Sequence, residues 1–172
     1  MRLRGGDRRG ERVRGGGETL LYVLALLAGV VAGSRTFTGP AAVSWAATLG
    51  YLNLGDSWLA FMGYAWTPWI FTLLALVEMV LDQLPSTPSR KVPMQFGARI
   101  IAGALSGATI GAAAGSWIAG LIAGVIGAVI GTYGGAEIRA QMAKAFGRDT
   151  PAAFIEDAGA IVLGLVVVWA LR

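Results

Sequence analysis

The chain has 172 residues, 55% of them hydrophobic and only 14% charged, and Lys and Arg outnumber Asp and Glu by 14 to 10. An ordinary soluble domain carries about 25% charged residues, so this composition points to lipid rather than water as the main surroundings. Histidine and cysteine are absent, which excludes disulfides, thiolate nucleophiles, imidazole acid–base catalysis and the usual zinc sites.

Residues 1–17 are rich in Arg and Gly, with six of the arginines in the first fourteen positions. Asp7 and Glu11 stand among these cations, which predicts a solvated, disordered arm rather than a nucleic-acid-binding face. The apolar stretch that follows lacks a cleavage-site pattern of small residues, so it reads as an uncleaved first span and not a signal peptide. The predicted first helix covers residues 18–36. Its uncharged part, residues 19–34, reaches only about 24 Å, so Arg35 is expected inside the membrane or at its edge.

Gly39 and Pro40 are expected to break the helix, with Pro40 in the first turn of a second one. A helix over residues 40–52 is too short to cross a bilayer. Asn53-Leu54-Gly55-Asp56 signals a turn. Residues 57–84 form a long apolar segment in which Pro68 marks a kink or a helix start. Three prolines and two cations make residues 85–93 a loop.

Residues 100–135 are thirty-six consecutive positions without a charge. One straight helix of that length would reach about 54 Å, against a hydrocarbon core of about 30 Å, so a hairpin turning near Gly115-Ser116-Trp117 is predicted. Glycine recurs at every fourth position: Gly103, Gly107, Gly111 and Gly115, then Gly120 and Gly124, then Gly127, Gly131 and Gly135. This glycine-zipper pattern lets helix backbones approach closely, either within the chain or between copies in a homodimer. Residues 137–149 read as a polar connection. Thr150 and Pro151 look like the N-cap and first residue of a last helix ending near residue 171.

The expected fold is therefore an all-α polytopic bundle, a single transmembrane domain over residues 18–172. Five spans plus a short re-entrant or interfacial helix put residues 1–17, 85–99 and 137–149 on one side, the cytoplasmic one, as the positive-inside rule prefers. Six spans, with residues 40–54 as an added crossing, are the alternative.

Ionisable residues within spans are costly, by about 2.5–3.5 kcal/mol on insertion scales, and mark function or a buried partner. Six qualify: Arg35, Glu78, Asp82, Arg99, Glu156 and Asp157. Glu78 and Asp82 share a helix face. Glu156 and Asp157 lie early in the last helix, where its dipole favours anions. A short echo relates the halves. Gly33-Ser34-Arg35 resembles the run from Gly135 to Arg139, and Leu76-Val77-Glu78 resembles Phe154-Ile155-Glu156. Broken helices repeated in two halves point to a transporter site, with Arg35 and the free amides of the second helix facing an anion and Glu78 and Glu156 carrying protons.

The motifs around these residues resemble the membrane-protein family known as domain of unknown function 4126. They are Gly33-x-Arg35-Thr36 with Pro40-Ala41-Ala42, Glu78-x3-Asp82-x2-Pro85-x-Thr87-Pro88-x-Arg90, Arg99 with the glycine run, Gly134-Gly135 with Arg139, and Pro151-Ala152-x3-Glu156-Asp157. The likeness covers about residues 20–170. It implies a small inner-membrane protein of bacterial type and carries no activity with it.

Three functions compete at this stage. The first is a transporter- or channel-like protein for a small solute or ion, with proton coupling. The second is a scaffold that binds partner helices through glycine faces. The third and weakest is a carboxylate-based intramembrane enzyme. The expected partners are the bilayer, a second copy and a small solute or ion, with no nucleic acid, cofactor or metal.

Overall fold

The computed structural model describes residues 8–55, 57–82 and 92–172; of residues 8–15 only the backbone is described. Six α-helices and one 3-10 turn follow in order: α1 Arg8–Ser34, α2 Thr38–Thr48, the 3-10 turn Ala60–Gly63, α3 Thr67–Leu81, α4 Pro93–Ala113, α5 Trp117–Phe146 and α6 Asp149–Ala170. Four stretches are long and apolar enough to cross a membrane: Gly16–Ser34, Pro93–Ala113, Trp117–Phe146 and Asp149–Ala170. α3 is a shorter apolar helix of 15 residues. The protein is a helical membrane bundle.

Glycine sets the closest helix contacts. A methyl group added at Gly111 would lie 2.6 Å from Gly120 Cα, and one at Gly107 would strike the backbone of Gly120 and Gly124. At Gly103 it would lie 2.6 Å from Ala128 Cβ. Partner numbers fall along α5 as they rise along α4, so these two helices are antiparallel. The other face of α5 meets α1. Gly127 and Gly131 lie against the backbone of Leu26 and Val30, while Gly29 and Gly33 of α1 press on Gly124 and Ala128. Here the numbers rise together, so α1 and α5 are parallel. Gly115 does not belong to this packing. It has φ +90 with no atom near an added Cβ, and it supplies the left-handed backbone of the hairpin turn. Gly135 is half-buried in α5.

Several expected boundaries shift. α1 begins at Arg8 rather than residue 18, running through Gly10 and Gly15–Gly17 in spite of their low helix propensity. The earlier residues of the expected disordered arm, 1–7, lie outside the described ones. The break falls at residues 35–37, and Gly39 and Pro40 sit inside the first turn of α2. A proline is tolerated there because first-turn amides have no helical partner. Gly39 allows α2 to fold back on α1, since an added Cβ would sit 2.8 Å from Ala28 O and Ala32 Cβ. Pro68 starts α3. α5 continues through the expected polar connection to Phe146, for 30 residues. Ala, Glu, Arg, Gln, Met and Lys dominate that stretch and all favour helix. Gly147, at φ 65, ends it, and α6 starts at Asp149, two residues before Pro151. The predicted loop over residues 85–93 falls largely outside the described residues.

Direction also differs from the preferred arrangement. Trp45 near the end of α2 stacks edge-on with Trp69 near the start of α3, at 5.0 Å. Trp58 meets Trp117 at the start of α5, at 5.8 Å. α2 therefore runs from one end of the bundle toward the other instead of returning to the end it left. The chain reverses direction at every helix, with four long apolar helices, the shorter apolar α3 and the 11-residue α2. The start of α1 shares an end with residues 49–66 and the 114–116 turn. Arg35, the end of α3, the start of α4 and the α5–α6 turn share the opposite end. α2 can be this short because it is enclosed by protein: eight of its eleven residues are buried, and irregular backbone at membrane depth is tolerated inside protein.

Candidate functional site: a charged network at the helix break

Between α1 and α2 the chain leaves two sets of backbone groups without helical partners, the last carbonyls of α1 and the first amides of α2. Side chains from distant segments satisfy both. Arg99, in the second turn of α4 and almost wholly buried, donates through Nη1 to Gly33 O at 2.9 Å and Ser34 O at 2.6 Å. Thr132 Oγ1 of α5 donates to Gly33 O at 3.1 Å. Glu78 of α3 accepts from Thr36 N at 2.8 Å and Phe37 N at 3.0 Å. A cation thus lies at the C-terminal end of one helix and an anion at the N-terminal end of the next, as both dipoles favour. Glu78 thus occupies the amides of the break just ahead of α2, residues 36 and 37, rather than those of α2 itself.

Arg35 lies within the break and its side chain is 0% exposed. Its Nη1 donates to Asp82 at the end of α3, and its Nη2 pairs with Asp157 of α6. Glu156 Oε2 is 3.8 Å from the same Nη2. Three carboxylates from two segments thus surround one guanidinium. Glu156 also lies 3.5 Å from Arg139 Nη1 on α5, and Arg139 holds Asp149 by two hydrogen bonds of 3.0 and 2.5 Å. Burial decreases along this line, from Arg35 to Arg139 to the well-exposed Asp149.

All six sequence-predicted residues, Arg35, Glu78, Asp82, Arg99, Glu156 and Asp157, meet in this network. Arg139 was not among them, although the echo between the halves matched it to Arg35. The signal lay in helical spacing: Arg139 is seven residues beyond Thr132, two turns along the face that touches Gly33. No group of three or more acidic side chains among the described residues has the arrangement of a metal site. An apolar groove of about 480 Å³ runs beside the network between α2, α3 and α6.

No protein-family model matches the chain, and no match appears among curated proteins or solved structures.

Proposed function

We propose that the chain is a small multi-pass inner-membrane protein of transporter or channel type, moving a small solute or ion with proton coupling, and not an enzyme. The observation that carries this reading is the convergence of Asp82, Glu156 and Asp157 on the single buried guanidinium of Arg35. One guanidinium satisfies one carboxylate in charge. A site offering three, from two helices, has alternative pairings that an arriving proton or cation re-sorts. Intramembrane ionisable clusters of this kind mark ion and substrate pathways, and a broken helix at the cluster is a feature of transporter sites.

The resemblance to the domain of unknown function 4126 family agrees with an inner-membrane setting and adds no activity. The concentration of six arginines in the first fourteen residues is our reason for proposing a cytoplasmic N-terminus. A scaffold would offer its small-residue faces to partners, whereas the glycine faces of α4 and α5 are taken up within the chain. Any homodimer would use the apolar outer faces of α3 and α5.

Charge displacement on a solid-supported membrane tests the reading. Proteoliposomes exposed to a pH jump are expected to give a transient current absent from empty liposomes and lost when Asp82 and Asp157 are both replaced by Asn. A wild-type protein that gives no such current would remove proton coupling at this site.

A further inference from the structure

Several residues that line the apolar groove stand three or four positions from members of the charged network. Thr38 and Trp45 on α2, Ala75 and Met79 on α3, and Ile161 and Leu165 on α6 line the groove. Leu76 and Leu165 on its rims are 56% and 62% exposed, so it opens sideways at the level of the membrane spans. Among the described residues α3 packs chiefly on α2 and the 3-10 turn.

Each wall, followed one turn toward the helix break, ends in a member of the network. Arg35 precedes Thr38 by three positions, Asp82 follows Met79 by three, and Asp157 precedes Ile161 by four. For Met79 with Asp82 and Ile161 with Asp157 this spacing means one helix face, whereas Arg35 lies in the break just ahead of α2. These three residues are also the ones that pair with each other, so together they cap the groove. The cap holds two carboxylates for one guanidinium. Its accessible atoms belong to the acids: the Asp82 and Asp157 side chains are 14% and 10% exposed, against 0% for Arg35.

We infer that groove and cap form one binding site for a hydrophobic monocation entering from the bilayer. The class is an onium ion or long-chain amine, its apolar body along Trp45 and Leu165 and its positive centre at Asp82 and Asp157. Charge complementarity selects this occupant: an anionic amphiphile would meet the acids first, and a neutral acyl chain would leave the cap unused. The inference rests on the transport reading only in naming what is carried; binding stands by itself.

Binding of radiolabelled tetraphenylphosphonium to the purified protein in nanodiscs tests it, beside tetraphenylborate, which has the same shape and the opposite charge. Saturable phosphonium binding at one per chain is expected, with no saturable borate binding. Asp82→Asn should weaken phosphonium binding. Gly164→Leu tests the groove without touching the cap. A Cβ there would meet Ala42 Cβ at 3.5 Å and Thr38 Cγ2 at 3.8 Å, ordinary contacts, and the rest of the side chain fills the groove. That variant should keep its helical circular dichroism and lose at least about tenfold in affinity, a difference of about 1.4 kcal/mol. Equal uptake of both ions, saturable borate binding, or a Gly164→Leu protein that binds as before would overturn the inference. If phosphonium fails to bind while the pH-jump current persists, the substrate class falls and the transport reading stands. Binding without any current has the reverse meaning.

Discussion

Glu78 Oε1 lies 3.6 Å from Arg99 Nη2, and each of these side chains caps a different helix at the same break. Arg99 holds the end of α1 and Glu78 the beginning of α2. Their mutual attraction ties α3 and α4 to the turn between α1 and α2, whose own backbone supplies the bonds Arg35 N to Val31 O and Thr38 N to Arg35 O. The break is held open by long-range contacts.

Replacing Arg99 removes a donor from two carbonyls, leaving Gly33 O with Thr132 alone, and takes the nearby cation from Glu78. Arg99→Gln is expected to destabilise the protein by about 3–5 kcal/mol, the usual consequence of breaking a buried pair. Arg99→Lys should recover little, because an ammonium cannot span two carbonyls and a carboxylate as a planar fork does. Unfolding in mixed detergent micelles measures both.

Glu78→Gln keeps one acceptor for the amides of residues 36 and 37 but loses the charge. A hydrogen bond to a charged group contributes about 1.5–3 kcal/mol, so a loss within that range is expected in the same assay. Glu78 is a structural cap here, and substitutions at Asp82 and Asp157 are the better probes of transport. A Glu78→Gln protein of unchanged stability would contradict the capping role.

Gly124 lies where α1, α4 and α5 meet. Gly124→Ala would drive a methyl group into the backbone of Gly103 and Gly107, and overpacking of this kind costs about 1–3 kcal/mol. Gly134, also on α5, has nothing within 4 Å of an added Cβ, and Gly134→Ala should leave the midpoint unchanged or raise it slightly. Equal shifts for the two variants would contradict the packing described.

The chain lacks cysteine, so single introduced thiols report sidedness directly. Gly17→Cys and Ala65→Cys should react with an impermeant maleimide from one side of the membrane, and Thr150→Cys from the other. The five-pass arrangement instead predicts that residues 17 and 150 label together.

Much of this was legible in the sequence because the strongest signals were local. The uncharged run over residues 100–135 exceeded one span, which required a hairpin, and Gly115 marked its turn. Isolated charges in apolar segments had to find one another, and six of them do. What escaped depended on contacts distant in sequence. The partner of Glu78 is a pair of backbone amides more than forty residues away, which no spacing rule encodes. The direction of α2 was hidden because an enclosed helix need not meet the span-length requirement used to count crossings. Gly29 and Gly33 carried the same four-residue spacing as the hairpin glycines, but a single pair in an ordinary span did not stand out.

The bare-backbone contacts of α5 with α1 and α4 have a mechanical consequence. Three rods locked without intervening side chains behave as one stiff plate, and Arg35 is rooted at its edge. The three acids that face it ride on α3 and α6, outside that plate, so any rocking of those helices is felt first as a change of partner at a single guanidinium.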